Sequence, residues 1–169
     1  MTADEIKQYL EELNEALRAI EIKGEICLYG GSVMCLAFGA RPATKDVDAV
    51  FEPVSHIRKA AGRIAETHGL RKDWLNYAVK MFLVPHERRI LMDKSHLKVY
   101  VPSSDYLLAM KTLSARANTY DRSDIEFLIN KLSFREVDEV LNIVQHYYPH
   151  KVVKESTRFL LEEIFASRK

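Results

Sequence analysis

The sequence predicts an α+β fold in which a small mixed β-sheet flanked by helices is followed by a C-terminal helical lobe. Two observations support this prediction. Up to about residue 102, short apolar runs of strand length alternate with segments of helical periodicity, whereas only helical periodicity follows. We therefore expect two parts, an α/β core over residues 1–102 and a helical lobe over residues 103–169 that completes the site.

The composition is that of an ordinary globular protein. Of its 169 residues, 47% are hydrophobic and 29% are charged, which excludes a disordered or collagen-like chain. No apolar run approaches the roughly 18 residues that a membrane span needs, and the first ten residues are polar and acidic. We therefore expect a soluble, cytoplasmic protein without a membrane partner. Cys27 and Cys35 lie in apolar runs and are expected to be buried, reduced thiols.

The charge is unevenly distributed along the chain. The net charge is only +1, but residues 53–122 carry thirteen Lys and Arg side chains against six Asp and Glu. Clustered positive charge attracts anions, so this excess favours an anionic partner such as nucleic acid. The alternative is a surface whose charges alternate in sign once the chain has folded.

The first predicted element is an amphipathic helix. Thr2 and Glu5 have the spacing of a capping box, in which each side chain bonds the other residue's backbone N–H. Gly24 is expected to end the helix. Its apolar face consists of Ile6, Leu10, Leu13, Leu17 and Ile20.

Two strands separated by a short helix come next. Residues 26–29 form an apolar run that ends at Gly30-Gly31, which is typical of a buried strand entering a turn. Ser32 is expected to cap the short helix. Residues 46–51 predict the second strand.

The later elements follow from the same signals. A helix over residues 55–68 is expected to end at Gly69, and residues 89–92 and 97–101 are expected to form a hairpin. Residues 74–79 fit either a short helix or a loop. Four further helices are predicted near residues 106–117, 125–132, 133–146 and 154–166, the third of them capped by Ser133 and Glu136.

The residues from 28 to 51 carry the chemistry. A strand that ends in Gly30-Gly31 before a helix suits an anion, because the absent side chains permit close backbone approach. Asp46 and Asp48 stand two apart on the predicted strand and should share one face. At a separation of about 6 Å and an effective dielectric of ~20, two carboxylates repel by about 3 kcal/mol, so the pair invites a divalent cation. Hard oxygen ligands beside a phosphate favour Mg²⁺ or Mn²⁺, although two solvated acids remain the alternative.

These residues form the pattern of a known superfamily. The run Tyr29-Gly30-Gly31-Ser32, followed after thirteen residues by Asp46-Val47-Asp48-Ala49, resembles the signature of the nucleotidyltransferase superfamily, which has the DNA polymerase β-like fold. The intervening residues 41–45, Arg-Pro-Ala-Thr-Lys, are similar to the bacterial and archaeal AbiEii-like branch and related uncharacterised proteins. The resemblance extends over roughly residues 26–132 and implies a nucleotidyltransferase core.

The resemblance also implies a reaction. It is the Mg²⁺-dependent transfer of a nucleoside monophosphate from an NTP to a hydroxyl of RNA, such as a tRNA 3′ end, or of a protein. A toxin–antitoxin or phage-defence role with a cognate antitoxin or toxin partner follows from the same likeness. The implied metal ligands are Asp46 and Asp48, and these two with Lys111 and Asp124 form the implied catalytic set. The residues implied to bind the nucleotide are Gly30, Gly31, Ser32, Arg41, Lys45 and Lys111.

One feature departs from the superfamily pattern. A third carboxylate often lies on the strand that corresponds to residues 97–101, but this strand offers Lys98 and Tyr100 instead. Asp124 is expected to supply this third carboxylate, with Asp93 and Asp121 as less favoured candidates. The alternative function is a catalytically weak binding module that pairs with a partner protein or RNA.

Aromatic and basic residues in the second half of the predicted core raise a further question. Trp74 and Tyr77 could stack on a base, but packing within the protein is the favoured interpretation. Two basic pairs, Arg71-Lys72 and Arg88-Arg89, could contact phosphates. The favoured interpretation is that they are ordinary solvent-exposed side chains.

Overall fold

The first helix, α1 (Ala3–Ala19), begins at the predicted capping box. In the computed structural model, which describes residues 1–117 and 119–169, the Glu5 N–H donates to the Thr2 hydroxyl at 3.3 Å. The Thr2 N–H in turn donates to the Glu5 carboxylate at 2.7 Å. Both donors would otherwise lack a partner at the helix start, so the box fixes where α1 begins.

The predicted end of α1 at Gly24 is wrong. The helix ends at Ala19, and Glu21 takes the positive φ of 55° at which the chain turns. Gly24 is instead the first residue of strand β1. A Cβ on Gly24 would lie 2.8 Å from Leu17 Cδ1, so the glycine allows the strand to pass close beneath α1.

The described residues form a five-stranded mixed sheet with the order β3-β2-β1-β5-β4. Strand β1 is central, antiparallel to β2 and parallel to β5, while β3 runs parallel to β2. Strands β4 and β5 form the predicted antiparallel hairpin. The strands are β1 (Gly24–Tyr29), β2 (Val47–Glu52), β3 (Leu75–Asn76), β4 (Arg88–Asp93) and β5 (Leu97–Pro102).

Helices cover the apolar face of this sheet. Helix α2 (Gly30–Leu36) follows β1, and α3 (Val54–His68) ends as predicted at Gly69, whose φ is 65°. Helix α1 packs against α3 and β5, and α3 packs against β2. A short 3₁₀ helix (Ala78–Phe82) follows β3. The fully buried residues that the sheet contributes to this core include Ile26, Leu28, Val47, Ala49, Val99 and Val101.

The two cysteines are buried and unbridged, as expected. Cys27 lies in β1 and Cys35 in α2. Burial raises the pKa of both thiols, so each remains a neutral part of the core.

The C-terminal part is helical. Its helices are α4 (Ser104–Ser114), α5 (Asp121–Lys131), α6 (Val137–Tyr147) and α7 (Glu155–Ala166). Helix α4 packs against α5 and α6, and α6 packs against α7. None of the helices in the described part of the chain is long and apolar enough to cross a membrane.

The predicted cap of α6 at Ser133 is wrong. Ser133 lies in the preceding turn with a φ of 57°, and the N-cap of α6 is Glu136. The Glu139 carboxylate accepts from the N–H groups of Arg135 (2.6 Å) and Glu136 (3.3 Å). Glu136 therefore takes the N-cap role that the sequence pattern assigned to Ser133, and Glu139 takes the role that the pattern assigned to Glu136.

The chain divides into two compact units. The α/β unit comprises residues 1–83 and 88–102, and the helical unit comprises residues 84–87 and 103–169. The segment 84–87 belongs to the helical unit because Tyr106 holds it: the Val84 N–H donates to the Tyr106 hydroxyl at 3.2 Å, and the His86 ring stacks on the Tyr106 ring at 3.8 Å. The Ser103 N–H also donates to the Glu87 carbonyl at 3.0 Å.

Candidate active site

Gly30 brings the strand–helix turn against a carboxylate. Strand β1 ends at Tyr29, and the chain enters α2 through Gly30 with a φ of 61°. Tyr29 lies opposite Asp48 in the β1–β2 ladder, which places the aspartate beside the turn. A Cβ on Gly30 would stand 2.9 Å from Asp48 Oδ2. The position therefore requires glycine twice, for its backbone conformation and for the space that the carboxylate occupies.

Gly31 brings the same turn against a cation. A Cβ here would stand 2.7 Å from an Arg41 guanidinium nitrogen and 2.8 Å from the Thr44 hydroxyl. The φ of Gly31 does not lie in the left-handed region, so space alone explains the glycine. Because Gly30 and Gly31 have no side chains, the Asp48 carboxylate and the Arg41 guanidinium can pack directly against the turn that the two glycines form.

The loop between α2 and β2 is held by hydrogen bonds to the start of the chain and by one from its own Thr44 side chain. The Thr44 N–H donates to the Met1 carbonyl at 2.9 Å, and Ala43 forms an isolated bridge with Thr2. The Thr44 hydroxyl donates to the Asp46 carbonyl at 3.2 Å. These bonds fix the loop that carries Arg41, whereas Lys45 projects from it as an exposed side chain.

Strand β2 begins one residue later than the sequence predicts. Strand β2 starts at Val47, whose N–H donates to the Trp74 carbonyl at 2.7 Å, while the Asp46 carbonyl is bonded by Thr44. From Val47 onward burial alternates as predicted: Val47 and Ala49 are buried, and Asp48 is half-buried. Asp46 lies at the end of the loop and is also half-buried. The expectation that both aspartates are strand residues is therefore wrong for Asp46.

Ser32 is not the helix cap that the sequence predicted. Tyr29 is the N-cap of α2, and Ser32 lies inside the first turn, fully buried. Its hydroxyl donates to the Tyr29 carbonyl at 2.8 Å. The side chain thus stabilises the turn, and the nucleotide-binding role of Ser32 stays a prediction.

The other two predicted catalytic residues meet within the helical unit. Lys111 Nζ lies 2.6 Å from Asp124 Oδ2 and 3.6 Å from Asp121 Oδ1. The three residues are 7%, 1% and 5% exposed, respectively, so they form a buried ion cluster between α4 and α5. The Lys111 ammonium faces both carboxylates, and the Arg116 guanidinium lies 3.7 Å from the Asp121 carboxylate as a second cation.

Asp121 is a member of this cluster that the sequence ranked below Asp124. Its carboxylate accepts from the Arg116 N–H at 3.0 Å. Burial alone would raise the pKa of Asp121, but the hydrogen bond from Thr119 and the charge of Lys111 outweigh it, and the pKa is lowered. The spacing of three residues to Asp124 on one helix could have indicated that both carboxylates face the same cation.

The face of the sheet that carries Asp48 has no carboxylate on β5. Lys98 and Tyr100 lie on this face, opposite Glu25 and Cys27 of β1. The Tyr100 hydroxyl donates to Glu25 at 3.4 Å, and the Arg88 guanidinium lies 4.0 Å from the centre of the Tyr100 ring. The departure from the superfamily pattern is therefore real at this strand.

The donor chemistry at this turn is compatible with a magnesium ion. Asp46 and Asp48 are hard oxygen donors, and Gly30 has no side chain between Asp48 and the backbone turn. Among residues 1–117 and 119–169, no group of three or more His, Cys, Asp or Glu side chains could hold a metal ion. Mg²⁺ commonly needs only one or two carboxylates when substrate phosphates and water complete its shell.

The mixed sheet, the glycine turn and the aspartate strand define the nucleotidyltransferase class of fold. The chain belongs to the family described as "Nucleotidyltransferase of unknown function (DUF6036)", whose family model matches residues 4–160. Comparison with curated proteins gives no match, and comparison with solved structures gives none either. Membership supports the predicted superfamily, while the AbiEii-like branch stays a prediction.

Proposed function

We propose that the protein transfers a nucleoside monophosphate from an NTP to an acceptor hydroxyl in a Mg²⁺-dependent reaction. One observation carries the proposal: the Asp48 carboxylate lies against Gly30 while the Arg41 guanidinium lies against Gly31. A metal-binding anion and a phosphate-binding cation thus flank one backbone turn. Family membership supports the reaction class.

The chemical step needs positioning more than covalent help from the protein. The acceptor oxygen attacks the α-phosphorus, the bond from that phosphorus to the bridging oxygen breaks, and pyrophosphate leaves. The acceptor proton passes to a carboxylate or to water. Arg41 supplies fixed positive charge, and the two glycines let phosphates approach the backbone. Mg²⁺ held by Asp46 and Asp48 would neutralise phosphate charge during the transfer.

The buried ion cluster bears on the roles of the other two catalytic candidates, Lys111 and Asp124. Lys111 already faces Asp124 and Asp121, so little of its charge is left for a triphosphate. We therefore propose Asp124 as the carboxylate that replaces the one absent from β5, with Lys111 as the cation that pairs with it at 2.6 Å. The direct role of Lys111 in triphosphate binding is the less favoured alternative.

The acceptor and the biological setting rest on the sequence resemblance. We propose RNA, such as a tRNA 3′ end, or a protein as acceptor, and a toxin–antitoxin or phage-defence role with a cognate partner. Incubation of the protein with each NTP in RNA and protein extracts shows which polymer takes up the nucleotide.

A second candidate function is a catalytically weak nucleotidyltransferase-fold module that binds a partner protein or RNA. The residues Lys98 and Tyr100 on β5 favour it, because a strand that often supplies a carboxylate in the superfamily supplies none here. Metal-dependent NTP binding separates the two functions. A module that has lost catalysis is expected to lose this binding as well.

The experiment that tests the leading proposal compares three proteins with each α-phosphate-labelled NTP and Mg²⁺ in total extract. Wild type is expected to label an acceptor, and Asp48→Asn is expected to lose at least a hundredfold in rate, the order of loss seen when one electrostatic contact to a transition state is removed. Asp4→Asn, an exposed aspartate of α1, is the matched control and is expected to keep wild-type transfer. Equal transfer by Asp48→Asn and wild type would contradict the assigned site.

A further inference from the structure

Thr44 lies two residues before Asp46, in the loop between α2 and β2. Both backbone groups of Thr44 are bonded to Met1: the Thr44 N–H donates to the Met1 carbonyl at 2.9 Å, and the Thr44 carbonyl accepts from the Met1 amino group at 2.7 Å. The neighbouring Ala43 forms a bridge with Thr2. The backbone of Thr44 is therefore held independently of its side chain.

The Thr44 hydroxyl contacts both halves of the candidate active site. It donates to the Asp46 carbonyl at 3.2 Å. It also lies 2.8 Å from the position that a Cβ on Gly31 would occupy, so it packs directly against the glycine turn. One side chain thus connects the turn proposed to bind phosphates with the backbone of a residue proposed to bind the metal.

Asp46 depends on this hydrogen bond more than Asp48 does. Asp48 is a residue of β2 and pairs with β1, so the sheet fixes its position. Asp46 precedes β2, and the peptide group between Asp46 and Val47 is held at both ends. Its N–H donates to the Trp74 carbonyl at 2.7 Å, and its carbonyl accepts from Thr44. Without the Thr44 hydroxyl, only the N–H end of this peptide group would keep its partner.

The orientation of this peptide group bears on the Asp46 carboxylate. The carbonyl and the side chain of a residue branch from the same α-carbon, and the rotamers open to the side chain depend on the backbone angles. Mg²⁺ demands near-ideal octahedral geometry, so two carboxylates that share it must be placed accurately. Removing a hydrogen bond that orients a metal ligand commonly lowers metal affinity by about 10- to 100-fold.

We propose that Thr44 is a positioning residue whose hydroxyl orients Asp46, so that the Asp46 and Asp48 carboxylates bind one divalent cation beside the glycine turn. This role rests on the metal site of the function proposed above. Thr44 acts through Asp46, since its hydroxyl proton is donated to the Asp46 carbonyl.

The test measures the binding of inorganic triphosphate by isothermal titration calorimetry, with and without Mn²⁺. Thr44→Val removes the hydroxyl but keeps the β-branched shape and both backbone bonds to Met1. It is expected to weaken the binding of Mn²⁺–triphosphate about tenfold and to change metal-free binding by less than about twofold. Thr44→Ser keeps the hydroxyl and is expected to bind like wild type. Thr67→Val, which removes an exposed hydroxyl that donates to the Arg63 carbonyl at 2.9 Å, is the matched control and keeps wild-type binding.

A double variant shows whether Thr44 acts through Asp46. Asp46→Asn removes the carboxylate that Thr44 is proposed to orient. Thr44→Val is therefore expected to weaken Mn²⁺–triphosphate binding in the wild-type background and to have little further effect in Asp46→Asn. The same loss in both backgrounds would contradict the proposal, because the hydroxyl would then act on another group.

Three further results would overturn the inference. The first is wild-type protein whose triphosphate affinity does not rise with Mn²⁺. The second is a Thr44→Val protein with wild-type affinity, or one weakened equally with and without Mn²⁺, as expected if the hydroxyl only stabilises the loop. The third is a Thr44→Ser protein that binds as weakly as Thr44→Val.

Two controls keep the test decisive. Thr44→Ala, which removes the hydroxyl without placing a methyl group against Gly31, replaces Thr44→Val if that variant does not fold and is expected to show the same selective loss. The expected binding results without any nucleotidyl transfer in extract would contradict the proposed function and leave the positioning role in place.

Discussion

Replacing Lys111 by methionine tests the buried ion cluster. The substitution keeps the length of the side chain and the helix propensity. It removes the ammonium that lies 2.6 Å from the Asp124 carboxylate, which is 1% exposed, and 3.6 Å from the Asp121 carboxylate. Breaking a buried pair in this way costs about 3 to 5 kcal/mol. For a chain of this length that corresponds to a drop of roughly 6 to 20 °C in Tm, at about 2 to 4 °C for each kcal/mol. Urea unfolding followed by circular dichroism, together with calorimetry, measures both quantities.

A double variant separates lost charge from lost packing. Lys111→Met/Asp124→Leu removes both partners of the 2.6 Å pair, so it is expected to be at least about 1 kcal/mol more stable than Lys111→Met alone. Lys151→Met, an exposed lysine, is the control and is expected to change stability by less than about 0.5 kcal/mol. A Lys111→Met protein as stable as this control would refute the reasoning.

Three further predictions concern the cluster and the glycine turn. Because the pKa of Asp121 is lowered in the folded state, its ionised form stabilises the fold above about pH 4. This stabilisation disappears as the pH falls through the folded-state pKa. Asp121→Asn is therefore expected to reduce the loss of stability in acid, measured as the urea midpoint at each pH. Gly31→Ala is expected to displace both the Arg41 guanidinium and the Thr44 hydroxyl, which raises the NTP concentration needed for transfer and lowers stability in urea by about 1 to 3 kcal/mol. Gly30→Ala is expected to lose about 1 to 2 kcal/mol of stability in urea because its φ of 61° disfavours a side chain, and a variant as stable as wild type would contradict this.

Local signals in the sequence were sufficient for most elements. The Thr2–Glu5 box, the apolar periodicity of α1 and the glycine after α3 depend on neighbours within a few residues, and the structure confirms them. The prediction of Ser133 as the cap of α6 is wrong because Ser133 takes a positive φ of 57° in the preceding turn, and the N-cap of the helix lies three residues later, at Glu136. Such choices depend on the backbone rather than on residue type.

Features that depend on pairing between distant parts of the chain could not be predicted from the sequence. Strand β3 has two residues and exists because Asn76 pairs with Asp48, about thirty positions earlier in the chain. The sequence motif includes both Arg41 and Gly31, but the contact between them could not be predicted from the sequence. Lys111 and Asp124 were assigned by resemblance, and their mutual pairing depends on the packing of α4 against α5.

The position of the label in the substrate tests the proposed reaction most directly. Purified protein is incubated with RNA and protein extract, Mg²⁺ and an NTP labelled either at the α- or at the γ-phosphate. Nucleotidyl transfer predicts that α-label enters the acceptor polymer, while γ-label leaves only as pyrophosphate. Entry of γ-label into the acceptor, or no incorporation of α-label by folded protein with any of the NTPs, would contradict nucleotidyl transfer at the Asp48 site.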